Sequence, residues 1–318
     1  MSLVLGIDGG GTKTVCVLMN DRGQVLGRGE AGASNYQSVG KSTALGCIQS
    51  AIAQATTSFE AVPVEAICLG VAGVDRPTDI QVVQTFVQQL QLSESLPITW
   101  ALRPSTIVIG NDALIALVGG LGHSMGVVAI AGTGSIVFGR NSTGCTKRVG
   151  GWGHLLGDTG GAYHIAISGL RSALRAYDGC DAATTLQERF KEHLGLSSLE
   201  EVVNVIYQPG WSVKEIAALA PIVAQEAASG DTVALGIIEE TVKELIQATQ
   251  VVVDNLFSPS DIVEVVTTGS IWQGFSLMRD KFEASFVSQK PRVKIVSPRY
   301  EPAYGAGLLA LETLSNSP

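Results

Sequence analysis

The sequence predicts two α/β domains, each opening on a strand, a turn of glycine and threonine, and a second strand. A length of 318 residues exceeds what a single ordinary core organises, which indicates two domains. Hydrophobic residues make up 46% of the chain and charged residues 16%, so the chain can bury large cores. The strand–turn–strand pattern occurs twice, near residue 10 and near residue 133, which favours a duplication at the scale of a domain over short repeats.

The first third of the chain predicts a three-stranded meander followed by alternating helices and strands. Short apolar runs separated by turn residues indicate the meander, and apolar residues spaced three and four apart indicate the helices. In chain order, the predicted elements are strands 3–7, 15–19 and 25–29, a helix around 45–55, strand 66–71, a helix around 80–90 and strand 106–109.

The remaining chain repeats the opening pattern and adds a helix-rich segment. In chain order, the predicted elements are strands 127–131 and 136–140, helices within 159–256, strand 262–267, a helix at 275–286, strand 293–296 and a final helix at 304–314. The first domain is therefore expected at residues 1–115 together with the C-terminal helix 303–318. The second, larger domain is expected at 116–302, with the helix-rich segment as an insertion.

Charge, cysteine content and hydropathy exclude several classes of protein. The chain has 21 Lys and Arg against 29 Asp and Glu, a net charge of −8, which is unlike a protein that neutralises nucleic-acid phosphates. Its five cysteines are scattered and form no C-x-x-C pair, so neither a disulfide framework nor a zinc site is expected. No apolar stretch reaches the length of a membrane span and no basic leader begins the chain, so we expect a cytoplasmic protein without nucleic-acid or membrane partners.

The first glycine hairpin, residues 8–13, has the composition of a phosphate-binding turn. It is not a P-loop, because Thr12 stands between Gly11 and Lys13 and a strand follows instead of a helix. Backbone N–H groups at Gly10 and Gly11 can approach a polyphosphate closely, with Thr12 and Lys13 facing the transferred phosphate. Asp8 is expected to hold hydrated Mg²⁺. The alternative is an ordinary glycine turn with an exposed aspartate.

Two further glycine turns are candidates for the same ligand. The second glycine hairpin, residues 131–135, carries Gly132, Thr133 and Gly134 at the place equivalent to the first hairpin. Gly269 and Ser270 follow a predicted strand and precede a helix, where backbone amides can receive part of a nucleotide. A serine that caps a helix after a turn is the alternative for Ser270.

These three elements, in this order, resemble the N-acetylglucosamine kinase and BadF/BadG/BcrA/BcrD ATPase family of the actin-like superfamily, which also contains sugar kinases, Hsp70 and actin. The resemblance runs from Gly6 to the closing segment 303–307. It implies two actin-like (ribonuclease H-like) domains around a cleft for ATP and sugar. It also implies a homodimer that phosphorylates an amino sugar with ATP and Mg²⁺. The first expected reaction converts N-acetylglucosamine to N-acetylglucosamine 6-phosphate, and glucosamine or muramic-type sugars are the alternative substrates.

The resemblance assigns a general base and a first sugar contact. The family carries its base at the position of Asp112, where a carboxylate after a strand can accept the proton of the attacking sugar hydroxyl. The alternative is that Asn111 and Asp112 only cap a helix. Asn35 matches the sugar-contacting asparagine of the family, although it equally fits an ordinary loop turn.

Loop 150–158 is the most specific part of the resemblance. Gly150, Gly151 and Trp152 are expected to cup the sugar, and Asp158 is expected to accept hydrogen bonds from two adjacent hydroxyls. Trp152 fits either a pocket wall or an ordinary core position. His154 is interpreted as a loop histidine, with a sugar ligand or proton shuttle as the alternative. The chain departs from the family after Asp158, where the segment 159–161 reads Thr-Gly-Gly and the usual residue is glutamate.

Three other functions are alternatives to the kinase. ATPases of the same family hold an iron–sulfur cluster, which needs grouped thiolates, whereas the cysteines here are isolated. Sugar-responsive transcription factors carry a helix-turn-helix ahead of the first strand, and the strand predicted at residue 3 leaves no room for one. A sugar-binding protein without catalysis is distinguished by the absence of ATP turnover.

Overall fold

The computed structural model describes residues 2–315 of the chain, which divide into two compact units. The first unit is discontinuous and contains the described residues up to 126 and those from 297 onward. The second unit is the continuous segment 127–296. These divisions differ from the predicted 115/116 and 302/303, and residues 316–318 of the predicted C-terminal helix lie outside the described part.

The first unit contains a six-stranded sheet in the order β3-β2-β1-β4, with β5 and β6 both pairing with β4. The β1–β2 and β2–β3 pairs are antiparallel, and β4 is parallel to β1, β5 and β6. The predicted meander is thereby confirmed. The strands are β1 (Leu3–Gly9), β2 (Thr14–Asn20), β3 (Val25–Ala31), β4 (Val62–Val71), β5 (Ile98–Trp100) and β6 (Ile107–Gly110). The helices are α1 (Tyr36–Val39), α2 (Lys41–Ala55), α3 (Pro77–Gln91), α4 (Asp112–Leu121) and, at the end of the chain, α13 (Pro302–Ser315).

Alternation along the strands gives this sheet two apolar faces, each covered by helices. On one face, Leu5 and Ile7 pack with Ile48 of α2 and Phe86 of α3. On the other face, residues of the opposite parity pack with α4 and α13. Members of this second core are Val4, Val15, Val17, Met19, Ala66, Cys68, Ile115, Val118, Ala303, Ala306, Leu309 and Ala310.

Close backbone approach between α4 and α13 explains why α4 belongs to the first unit. A side chain at Gly119 would collide with the carbonyl of Glu301, and one at Gly305 would collide with the carbonyl of Ile115. Glycine at both positions lets the two helices pack on the same sheet face. The unit therefore extends beyond residue 115, the predicted end of the first domain.

The second unit contains a five-stranded sheet in the order β11-β10-β7-β8-β9, which repeats the order of the first sheet. Strand β10 is parallel to β7 and β11, and β8 is antiparallel to β9. The strands are β7 (Gly126–Ala131), β8 (Ser135–Arg140), β9 (Thr146–Gly150), β10 (Val263–Thr268) and β11 (Val293–Val296). The helices are α5 (Ala162–Tyr177), α6 (Leu186–Leu194), α7 (Val202–Ile206), α8 (Val213–Ala217), α9 (Ala220–Ala228), α10 (Thr232–Leu256), α11 (Ser270–Gly274) and α12 (Ser276–Gln289).

The sheet of the second unit is tied to its helices by apolar packing and one buried polar contact. Val127, Ala129 and Val265 lie in a single core with residues of helices α5 to α12. The indole N–H of Trp272 in α11 donates a hydrogen bond to the carbonyl of Ala129 at 3.0 Å, so the indole nitrogen keeps a partner in the core. This bond holds α11 next to the end of β7, from which the second glycine hairpin begins.

The shared strand order agrees with the predicted duplication, while two short strands, β5 and β9, were not predicted. The helices within residues 2–315 include none with both the length and the apolar character needed to cross a bilayer.

Candidate active site

Asp8 and Asp112 lie at the same edge of the first unit's sheet. Asp8 is opposite Gly70 of β4, and Gly70 is opposite Gly110 of β6. Because β1, β4 and β6 are parallel, their carboxyl ends meet at this edge. The two carboxylates are close enough for Asp112 to raise the pKa of Asp8.

The Asp8 carboxyl has a strongly perturbed acidity. Burial disfavours its charged form, and Asp112 and Glu301 add repulsion, while the Lys13 ammonium opposes the effect. Together these raise the pKa of Asp8 to about 7. A carboxylate with this property is a candidate for binding a cation, because a cation relieves both the burial and the repulsion.

Asp112 is the first residue of α4, and it is not the residue that caps the helix. The side chain of Asn111 takes that role, since its Oδ1 accepts a hydrogen bond from the backbone N–H of Leu114 at 2.8 Å. The Nδ2 group of Asn111 also donates to Asp75 at 2.9 Å. Burial raises the pKa of Asp112, opposed by the amides of residues 112 and 113. The capping alternative therefore describes Asn111 alone.

The first glycine hairpin is a short connection between β1 and β2. The N–H of Gly10 donates to the carbonyl of Lys13 at 2.9 Å, and Gly11 and Thr12 are exposed at the tip. A Cβ added at Gly11 would meet no atom within 4 Å, so the space beside this backbone is open. Lys13 forms an exposed ion pair with Glu30 at 3.4 Å, close to the same edge.

Asn35 lies next to this hairpin and caps a helical turn. Its backbone N–H donates to the carbonyl of Gly10 at 3.2 Å, which attaches the loop after β3 to the hairpin. Its Oδ1 accepts from the N–H of Gln37 at 3.1 Å, as expected for an N-cap. The turn reading of Asn35 is therefore correct locally, and its amide nitrogen is the group left for a ligand contact.

The second glycine hairpin joins β7 to β8 and packs against the start of α5. The N–H of Gly132 donates to the carbonyl of Gly134 at 2.9 Å. The carbonyls of Gly132 and Thr133 accept from the N–H groups of Ala162 and Tyr163 in the first turn of α5. A Cβ at Gly132 would meet nothing within 4 Å, whereas one at Gly134 would collide with the carboxylate of Asp158.

A cavity of about 500 Å³ within the second unit begins at this hairpin. Thr133 and Ser270 line one part of it, and the side chains of Lys214 and Gln225 are among its polar groups. Gly269, with φ +114°, precedes Ser270 and lies against the backbone of Ala131, too close for any side chain. The remaining wall is mostly apolar and comes from α8, α9, α11 and α12: Ala217, Ala218, Pro221, Ala224, Ile271, Phe275 and Met278.

Size and lining make this cavity suitable for a nucleoside. Pockets for small ligands have volumes of roughly 300–1,000 Å³ and combine apolar walls with a few polar groups. The sequence had indicated only Thr133, Gly269 and Ser270 here. The walls from α8, α9 and α12 were missed, because small apolar residues on helices give no motif.

Loop 150–158 has a left-handed backbone at several positions. Gly150, Gly151 and Gly153 have φ values of +80°, +71° and +85°, and Asp158 has +57°. The Oδ1 of Asp158 accepts a long hydrogen bond from the N–H of Gly153 at 3.3 Å, and the amides of Gly151 and Trp152 also stabilise its charge. Burial raises the pKa of Asp158, and the hydrogen bonds from these amides oppose the increase. The carboxylate thus organises the loop and lies beside Gly134.

The aromatic residues of this loop are on its surface. Trp152 is 64% exposed, so the core alternative is wrong, and the guanidinium of Arg148 lies 4.4 Å from its ring centroid. His154 makes an edge contact with Tyr163 at 4.9 Å between centroids. An exposed tryptophan held by a cation is available to contact a sugar face.

The predicted residues thus form one group in each unit. In the first unit, Asp8, the hairpin 10–13, Asn35 and Asp112 lie at one sheet edge. In the second unit, the hairpin 132–134, Ser270 and Asp158 lie around the start of α5. Among residues 2–315, no three His, Cys, Asp or Glu side chains form a group that could hold a metal ion.

Comparison with known proteins shows similarity along nearly the whole chain. Residues 5–310 match the BadF/BadG/BcrA/BcrD ATPase family. The chain is 34% identical to the N-acetylmuramic acid/N-acetylglucosamine kinase of Clostridium acetobutylicum and 33% identical to the N-acetyl-D-glucosamine kinase of Dictyostelium discoideum, with 98% of each chain covered in both cases.

The fold also matches a solved structure. The structure named for the N-acetylglucosamine kinase of Chromobacterium violaceum has a TM-score of 0.76 at 24% identity, covering 98% of this chain and 99% of that one. At that identity the match supports the actin-like fold alone. Together with the family match over nearly the whole sequence, these findings identify the chain as a member of the BadF/BadG/BcrA/BcrD ATPase family.

Proposed function

We propose that this protein transfers the γ-phosphate of ATP to an amino sugar, and that N-acetylglucosamine is converted to N-acetylglucosamine 6-phosphate. The observation that carries the proposal is the position of the Asp112 side chain, which does not cap the helix that it begins. Asp112 follows β6 at the carboxyl ends of the parallel strands β1, β4 and β6, and Asn111 caps α4 in its place. A general base needs such a carboxylate, free to accept the proton of the attacking hydroxyl.

The nucleotide is proposed to bind through both glycine hairpins and the cavity of the second unit. The open space beside Gly11 and Gly132 suits a polyphosphate, which needs close approach to backbone N–H groups. The apolar walls of the cavity suit an adenine ring. Lys13 is proposed to exchange its exposed partner Glu30 for a phosphate oxygen.

Magnesium fits this site as part of the nucleotide substrate. A resident magnesium site built from protein alone would need several carboxylates, and the described residues offer no such group. Asp8 fits as one carboxylate that contacts the hydrated ion while phosphate oxygens supply direct ligands. Its pKa of about 7 means that a bound cation would also favour its ionised form.

The acceptor is proposed to bind at Asn35, Asp112 and loop 150–158. Two curated relatives named for N-acetylglucosamine, each matching over 98% of this chain, support the amino sugar. Exposed Trp152 supports a sugar-stacking wall, and Gly150 and Gly151 directly precede it in the loop. The name of the Clostridium relative adds N-acetylmuramic acid as a second acceptor to test.

A coupled assay of ADP release tests the proposal, with N-acetylglucosamine, N-acetylmuramic acid, glucosamine and glucose as acceptors. We expect N-acetylglucosamine to give the highest kcat/KM, with ³¹P NMR identifying the 6-phosphate. Turnover that requires no sugar, or no turnover with any acceptor, would contradict the kinase assignment. The homodimer and the cytoplasmic location expected from the sequence stay predictions, and light scattering tests the first.

A further inference from the structure

The turn at residues 158–161 is held in a costly conformation. Asp158 is the one non-glycine residue with positive φ among residues 2–315. A left-handed backbone costs a residue with a Cβ roughly 1–2 kcal/mol. Such a conformation persists only where the surrounding structure holds it, and it is found most often at functional sites.

Backbone contacts within the second unit account for part of that support. The N–H of Gly160 donates to the Oγ of Ser135 at 3.0 Å. The N–H of Gly161 donates to the carbonyl of Asp158 at 2.9 Å, which closes the turn. The first contact attaches the turn to β8, and the second closes the turn at Gly161, directly before α5.

The remaining support comes from the middle of α10. The hydroxyl of Thr159 donates a hydrogen bond to Oε2 of Glu244 at 3.1 Å, across 85 residues of sequence. The neighbouring Leu245 lies under Gly160, where an added Cβ would collide with the leucine side chain. Helix α10 is 25 residues long and is buried along Ile238, Thr241, Leu245 and Val252, so it offers a rigid support.

We propose that Glu244 is a positioning residue, which through Thr159 holds the turn of Asp158 in the geometry that binds the acceptor sugar. The proposal rests on the proposed function for its effect on catalysis. Asp158 shares its carboxylate with the amide of Gly153 and lies against Gly134. A shift of the turn therefore displaces the sugar loop, while the base Asp112 belongs to the other unit.

An exchange of the two side chains tests the proposal. Thr159→Glu alone places two carboxylates together, and Glu244→Thr alone leaves Thr159 without its acceptor. The contact is exposed, so we expect each single variant to raise the KM for the sugar roughly 5- to 10-fold, the size of an ordinary lost hydrogen bond, with kcat within about 2-fold. The double variant restores one carboxylate and one hydroxyl across the same contact, and should return KM to within about 2-fold of the wild type.

Two further variants separate positioning from general stability. Glu244→Gln keeps a side-chain oxygen that accepts from Thr159, and it should retain a nearly normal KM. Glu240→Thr changes an exposed carboxylate one turn earlier on α10, outside the turn's hydrogen bonds, and should leave KM unchanged. If the effects of the two exchange substitutions multiply in the double variant, or if Glu240→Thr matches Glu244→Thr, the proposal is overturned.

Amide hydrogen exchange in the protein without ligands gives a readout that needs no catalysis. We expect the amides of Gly160 and Gly161 to exchange roughly 5- to 10-fold faster in Glu244→Thr, and at the wild-type rate in the double variant. Unchanged exchange in Glu244→Thr would overturn the positioning role whatever the activity. A wild-type protein without kinase activity but with this exchange pattern would contradict the proposed function while supporting the role of Glu244.

Discussion

Replacing Asp8 with asparagine should stabilise the protein while removing its activity. In the folded protein the pKa of Asp8 is raised from 3.8 to about 7, chiefly by burial and by repulsion from Asp112. Between these two values the native state binds more protons than the unfolded chain, so stability falls as the pH rises through this window. Above about pH 7 the folded protein bears the full cost of the Asp8 charge. The difference between the two pKa values corresponds to about 4 kcal/mol of unfolding free energy.

Asparagine has a similar shape and carries no charge, so the variant avoids this cost. The gain in unfolding free energy should be small below pH 4, about 2 kcal/mol at pH 5 and about 4 kcal/mol at pH 8. Urea unfolding of both proteins at several pH values measures it, with Asp21→Asn, a change in an exposed turn, as the matched control. A gain that is the same at pH 5 and pH 8 would refute the reasoning, because an effect of packing alone has no such dependence.

The remaining predictions concern catalysis and phosphate binding. Asp112→Asn should lower kcat by about 10²–10⁴ with little change in ATP affinity. Because Asn111 caps α4, urea unfolding should show near-normal stability. Activity close to that of the wild type would refute the role of Asp112 as general base. The added methyl group of Gly132→Ala would meet no protein atom, so the stability of the fold should be unchanged while the affinity for ATP falls. Isothermal titration measures that affinity, and an unchanged value would contradict a phosphate at this hairpin. Gly134→Ala should weaken sugar binding as well, because its Cβ displaces the carboxylate of Asp158. If its KM for the sugar equals that of Gly132→Ala, the contact between residue 134 and Asp158 does not affect sugar binding.

The strands and helices with strong periodicity could be predicted from the sequence. The runs that became β1, β2 and β4 are uninterrupted and apolar because helices cover both faces of that sheet. The two missed strands gave weaker signals. Strand β5 has only three residues, and β9 is the polar segment Thr146–Gly150, an edge strand whose residues are all partly or fully exposed.

The candidate site could be predicted where a motif is local, and not where it depends on register. The two hairpins were found because glycine and threonine are concentrated in a few residues. Asp8 and Asp112 are far apart in sequence, and only the pairing of β1 and β6 with β4 brings them together. Glu244 was missed because a glutamate on a long helix is ordinarily a solvated surface residue.

The last described helix also bears on how the protein is made. A side chain at Gly6 would collide with the backbone of Gly307, so β1 and α13 are in direct contact although they lie at opposite ends of the sequence. During synthesis, the first sheet can bury this face against α4 early, but its packing against α13 must wait until the whole second unit has been synthesised. The part of the protein that is translated first therefore depends on a segment made after the second unit to complete its core.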